Sequence, residues 1–97
     1  MERLFVYGSL RRGQSAHHLM AGARFLGDAT IRGAVVQHGQ YPGLIPGDEQ
    51  IAGELFEIPA ELFERLDEYE GPDYHVGQTS VCQGGEESLS AWVYWLT

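Results

Sequence analysis

The stretch Pro59-Ala60-Glu61-Leu62-Phe63-Glu64-Arg65-Leu66-Asp67-Glu68-Tyr69-Glu70-Gly71-Pro72 carries the one strong helix pattern of the chain. Pro59 suits a first helical position, where its missing N–H costs nothing. Gly71-Pro72 supplies the stop, so a helix is expected from about Pro59 to Tyr69 or Glu70. On either side of it the period changes. Leu4-Phe5-Val6-Tyr7 is a short apolar run halted by Gly8, which predicts a buried strand. Before the helix, residues 24–38 carry Phe25-Leu26, Ala29, Ile31 and Ala34-Val35-Val36, broken by Gly27 and Gly33, and read as two strands or one bent pair. The segment 41–48, with Pro42, Gly43, Pro46 and Gly47, reads as turn, and 51–58 as the next strand. After the helix, 74–83 and 88–96 read as strands joined by Gly84-Gly85. In the last of these Trp92, Tyr94 and Leu96 alternate with Val93 and Trp95, so both faces are apolar and the strand should be central. Ser15 is the expected N-cap of a short helix from Ala16 to Ala21, ended by Gly22.

A single good helix among so many strands excludes a doubly wound parallel sheet. It predicts the α+β class, as a small, mostly antiparallel sheet or partly closed barrel. The 97 residues suit one domain, 1–97, and 43% hydrophobic residues can fill its core without a disulfide or metal. The 13 glycines are spread along the chain without a repeat, which points to tight turns and excludes a collagen-like chain. Fourteen acids face six arginines and no lysine, a net charge of −8, which disfavours nucleic acid and anionic membrane surfaces as partners. No stretch approaches the length of a membrane span. The run after Met1-Glu2-Arg3 is too short for a signal peptide, and Cys82 is alone, so the cytoplasm is the expected location.

Within the helix one acid stands apart. With Phe63 at 0° and about 100° per residue, Leu66, Leu62 and Tyr69 form an arc between about 240° and 300°. Glu61, Glu64, Arg65 and Glu68 fall on the opposite face, as solvent charges. Glu70 falls at about 340°, with the apolar residues. A carboxylate turned toward apolar surroundings loses hydration and its pKa rises, which suits a general base near neutrality. The competing reading is a helix that frays before Glu70 and lets the side chain turn to water. Glu54 is a rival acid, sharing a strand face with Ala52, Phe56 and Ile58; the preferred reading there is an acid that pairs with an arginine or reaches solvent.

Tyr7-Gly8-Ser9-Leu10 directly follows the first strand. Glycine permits close approach by a ligand, and successive N–H groups in such a turn can form an anion-binding nest. Arg11 and Arg12 add local positive potential. The phosphate-loop and dinucleotide fingerprints are both absent, and a plain turn with solvated arginines is the commoner outcome. His17 and His18 are adjacent and badly placed to share a metal, and His38, His75 and Cys82 lack ligand spacing, so no metal site is expected. Ser9 lacks a nucleophile-elbow context. Cys82 reads as a small buried hydrophobe, and Tyr41, Tyr74 and Tyr94 either line a pocket or are core tyrosines satisfied by one hydrogen bond each.

Leu4-Phe5-Val6-Tyr7-Gly8-Ser9-Leu10-Arg11-Arg12-Gly13 resembles the opening signature of the γ-glutamylcyclotransferase-like family. The likeness continues at Tyr41-Pro42, at Gly53-Glu54-Leu55-Phe56, at Leu66-Asp67-Glu68-Tyr69-Glu70-Gly71 and at Tyr74, across almost the whole chain. It implies a small β-barrel flanked by helices, a catalytic acid/base at Glu70, and a substrate loop at Tyr7, Gly8, Ser9 and Leu10. It also implies a small-molecule γ-glutamyl substrate and no cofactor. The implied reaction is attack of the substrate's own α-amine on its γ-carbonyl, releasing 5-oxoproline and an amine or amino acid. Three departures stand out: Ser9 where threonine is common, Val76 where the family often has arginine, and a chain shorter than many members. Val76 motivates an alternative, a non-catalytic binding module on the same fold. The leaving amine, the pathway and the oligomeric state are not legible in these residues.

Overall fold

The computed structural model describes the backbone of residues 1–97 and every side chain outside 86–88. Five strands, β1 (Glu2–Val6), β2 (Arg24–His38), β3 (Tyr41–Ile58), β4 (Tyr74–Gln83) and β5 (Glu86–Leu96), close into a barrel in the order β1-β3-β2-β4-β5. One α-helix, α1 (Leu62–Glu70), and a 3₁₀ helix at His17–Met20 flank it. Every strand pair is antiparallel except the seam, where β1 runs parallel to β5 at Leu4↔Trp92. The α+β class and the mixed, mostly antiparallel barrel with short helices are therefore as the sequence implies. No helix among the described residues is long and apolar enough to cross a membrane.

The period of two sorts the core into two layers. Phe5, Ala29, Ile31, Leu44, Leu55, Val81, Ala91 and Val93, drawn from all five strands, fill the barrel interior. Their neighbours Leu4, Val6, Phe56, Ile58 and Tyr94 face the other way. They pack with Leu62 and Leu66 of α1 and with Ala16 and Met20. β5 thus has two apolar faces because one fills the barrel and the other receives the helix.

Three local expectations need correction. The 24–38 region is one strand, with irregularities between Phe25 and Gly27 and between Gly33 and Ala34. The 41–48 segment is strand and not turn: β3 pairs with β2 from His38↔Tyr41 onward, and only Pro46, Gly47 and Asp48 lack a partner between Ala34↔Ile45 and Gly33↔Glu49. Its glycines serve close approach. A Cβ on Gly43 would stand 2.9 Å from Leu96, and one on Gly47 would stand 2.9 Å from the Gly33 carbonyl. Third, Ser15 caps nothing. The helix after it is 3₁₀, its first flanking residue is Ala16, and no side chain bonds to its free N–H groups. α1 itself begins at Leu62, after a turn in which Leu62 N donates to Pro59 O and Phe63 N to Ala60 O.

Candidate functional site

β1 ends at Val6, and the loop after it turns its carbonyls back into the protein. Gly8 O accepts from both the backbone N and the Nε of Arg11, each at 3.1 Å. Ser9 O accepts from Ala16 N at 3.0 Å, and Leu10 O accepts from His17 Nδ1 at 2.9 Å. With its acceptors engaged, the loop is left donor-rich. Among the described residues the amides of Gly8, Ser9 and Leu10 donate to no protein acceptor. Leu10 is buried in the helix-facing core and pins the loop there. Gly8 has no left-handed backbone, and the left-handed position is Gly13 (φ 79°). A Cβ on Gly8 would stand 3.8 Å from Pro42, so the missing side chain keeps open the space between loop and Pro42.

Glu70 is the last residue of α1, and Gly71 (φ 79°) breaks the helix immediately after it. The helix does not fray early. Leu62 and Leu66 are buried below Glu70 on the same side, and the acid is half-buried with them. Burial pushes its carboxyl up from the usual carboxylate range to about 7. The negative end of the helix dipole acts in the same direction. Glu70 has no hydrogen-bond or ion-pair partner among the described side chains. Three tyrosines feel its charge: Tyr7, Tyr74 and Tyr94 are each raised, first by burial and then by the acids nearby, Glu70 among them. Each is therefore a neutral hydrogen-bonding group across the physiological range.

These elements meet in one cleft of about 240 Å³, at the end of the barrel where β1 gives way to its loop. Tyr7, Gly8, Ser9, Leu10 and Glu70 all line it. The remaining walls come from the β2–β3 hairpin end (His38, Tyr41, Pro42) and from Tyr69, Asp73, Tyr74 and Tyr94. Cross-bonds tie the walls together. Tyr7 OH donates to Tyr94 O at 3.2 Å, and Tyr74 OH donates to Pro42 O at 3.1 Å. Ser9 Oγ and Tyr69 OH share a hydrogen bond of 2.6 Å between loop and helix. His38 Nε2 lies 3.1 Å from Asp73 Oδ2 at the rim. No arginine lines the cleft, so an anionic group entering it would meet backbone N–H and hydroxyl donors in place of a guanidinium.

Of the other sequence candidates, Glu54 lies outside the cleft and pairs with Arg12 at 3.2 Å. No group of three or more His, Cys, Asp or Glu side chains that could hold a metal is found among the described residues. Cys82 is only half-buried, which corrects its reading as a buried hydrophobe. Tyr94 is a core tyrosine and a wall residue at once, and its hydroxyl donates to Asp67 Oδ1 at 2.5 Å. Tyr41 is 58% exposed and belongs to the rim. Sequence reasoning missed Asp67, Tyr69, His38 and Asp73. Asp67 had a signal, since i+4 from Phe63 sets it at about 40° on the helix, beside the apolar arc. The pairing of His38 with Asp73 had none, because their meeting depends on where the hairpin end falls.

Residues 4–97 match the family model described as gamma-glutamyl cyclotransferase, AIG2-like. The chain is 43% identical over 72 residues to the gamma-L-glutamyl-butirosin B gamma-glutamyl cyclotransferase of Niallia circulans, a match covering 72% of this chain and 46% of that protein. It is 41% identical over 66 residues to the gamma-glutamylcyclotransferase family protein YtfP of Escherichia coli K12, covering 67% and 58% respectively. It therefore spans about half the length of these two curated relatives. The crystal structure of an AIG2-like protein from Mus musculus superposes with a TM-score of 0.84 at 28% identity, over 100% of this chain and 78% of that one. A donor-rich loop, a half-buried helix-end glutamate and a closed five-stranded barrel thus occur in a chain that belongs to the gamma-glutamyl cyclotransferase, AIG2-like family.

Proposed function

We propose that the protein is a γ-glutamyl cyclotransferase, with Glu70 as its acid/base and the Tyr7–Leu10 loop as its substrate cradle. The observation that carries this reading is the pairing, in one cleft, of a carboxylate raised to about 7 with a run of backbone amides, both without a protein partner among the described residues. In the reaction the amides hold the α-carboxylate of a γ-glutamyl amide. Ionised Glu70 removes a proton from the α-ammonium, and the freed nitrogen attacks the γ-carbonyl carbon of the same molecule. Protonated Glu70 gives its proton to the leaving nitrogen as the bond to it breaks and the C–N bond of the five-membered lactam is completed. The second proton of the attacking nitrogen passes through the again ionised Glu70 to the departing amine, which leaves as its ammonium form. The products are 5-oxoproline and a free amine or amino acid, and Glu70 ends as it began.

The physical demands are modest, because nucleophile and electrophile arrive on one molecule. Fixing the reactive conformer can remove roughly 7–11 kcal/mol of the barrier. Donors aimed at the developing oxyanion are worth about 3–4 kcal/mol each. Val76 does not weigh toward a merely binding role. It packs against the helix-facing core and is not among the residues that line the cleft.

The test is a panel of γ-glutamyl amino acids and γ-glutamyl amines incubated with the protein, with 5-oxoproline measured by mass spectrometry. Formation of 5-oxoproline with equimolar free amine supports the proposal. Binding of panel members without product would replace it with the non-catalytic module, and absence of both binding and product would remove the γ-glutamyl class altogether.

A further inference from the structure

Glu54 makes two hydrogen bonds that the reaction above does not use. Its Oε1 accepts the backbone N–H of Arg12 at 2.7 Å, and its Oε2 accepts Nε–H of the same residue at 3.2 Å. In register Glu54 stands opposite Val6, the last residue of β1. β3 runs on past the end of β1, and the loop after Val6 folds back onto the acid. The neighbouring Gly53 makes room for that exit. A Cβ there would collide with the Val6 carbonyl oxygen and stand 2.6 Å from Phe5 Cζ. Arg12 is held from its other side as well: its guanidinium lies over the Phe25 ring, 3.4 Å from the centroid, and Phe25 packs edge-on against buried Phe56.

From this geometry we infer that Glu54 is a positioning residue of the cleft. It anchors the far end of the loop through the backbone of Arg12 and so aims the amides of Gly8, Ser9 and Leu10. The inference rests on the reading of the cleft as a γ-glutamyl site. The main-chain bond is the working half. A carboxylate accepting an N–H is a short, charge-assisted bond, and the Glu54 side chain is only 13% exposed. The Arg12 side chain is 50% exposed, and ion pairs open to water contribute little. Replacing the Arg12 side chain leaves its N–H in place, whereas replacing Glu54 by an apolar residue removes the acceptor. Because the α-carboxylate that the loop holds keeps its charge throughout the reaction, releasing the loop weakens binding of ground and transition states alike.

Two readouts separate this inference from the function it rests on. The Ala16 amide donates to Ser9 O and does not touch Glu54, so its hydrogen exchange reports whether the loop keeps its fold. In Glu54→Ala, Ala16 exchange should accelerate at least about tenfold, and in Arg12→Ala it should stay within about twofold. For whichever γ-glutamyl amide the wild type turns over, Glu54→Ala should raise KM about tenfold or more with kcat within about threefold. Glu54→Gln keeps one oxygen for the Arg12 N–H and should resemble Arg12→Ala in both readouts, so the inference is tested even if Glu54→Ala fails to fold. Unchanged Ala16 exchange in Glu54→Ala, a fall in kcat with constant KM, or an Arg12→Ala variant as impaired as Glu54→Ala would each overturn it. A wild type that forms no 5-oxoproline removes the proposed reaction, while Ala16 exchange still decides the anchoring.

Discussion

Glu54 and Glu70 are both half-buried acids, and the fold treats them in opposite ways. Glu54 has a backbone N–H and a guanidinium on its two oxygens. Glu70 has no partner among the described residues, and its carboxyl is pushed up to about 7. A sequestered acid with its lone pairs satisfied is a structural tie; the same group left unsatisfied is, on the function proposed above, a proton carrier whose affinity is matched to neutral water. Position in the chain explains the contrast. Glu54 lies mid-strand where a loop folds back to meet it, whereas Glu70 lies at a helix end where carbonyls, not N–H groups, are exposed.

The sharpest way to break this contrast is to make the same change at both acids. Glu70→Gln should lower kcat/KM at least about a hundredfold, the lower range for general acid–base catalysis, with the fold intact by circular dichroism. Glu54→Gln should cost far less, and equal losses would erase the distinction. Next in size is Gly53→Ala, which drives a methyl into the Val6 carbonyl and the Phe5 ring. It should destabilise the protein by about 2–3 kcal/mol in a urea titration, with loss of loop order.

Third is pH. The folded state holds the Glu70 proton up to about 7, whereas the unfolded chain releases it near 4.5, so folding is favoured on the acid side of this window. Stability should decline as pH rises from about 4.5 to about 7 and then level off, by roughly 1–2 kcal/mol after discounting for the solvent that reaches the group. That decline should vanish in Glu70→Gln, which should be the more stable protein above neutrality. In the wild type kcat/KM should rise over the same interval, because only ionised Glu70 accepts a proton. The smallest effect is expected from Tyr69→Phe. It removes the Ser9–Tyr69 bond between loop and helix and should cost about 1 kcal/mol or less, read as a few-fold change in KM.

Local pattern made much of this legible. The helical angle alone set Glu70 apart from its fellow acids, and a short apolar run ending in glycine marked the start of the loop. What stayed hidden was non-local. Pro42, Gly43, Pro46 and Gly47 carry every mark of a turn, yet two of them are glycine because Leu96 and Gly33 press against the strand there. Glu54 was readable as an acid that pairs with arginine, but its tie to the Arg12 main chain depends on where β1 ends. The rim depends on the reach of the β2–β3 hairpin, which no window of sequence reports.

The seam between β1 and β5 has a consequence for how the cavity comes into being. Leu4 lies beside Trp92, and the Tyr7 hydroxyl reaches the Tyr94 carbonyl across 87 positions of chain. The space that faces Glu70 is thus completed by segments far apart along the polymer. A nascent chain carries the loop before β5 exists, and the cleft lacks its Tyr94 wall until β5 docks. Such long-distance contacts make assembly slow relative to a helical bundle of this size. Ligand capture should accordingly switch on late and all at once, as the ring snaps shut.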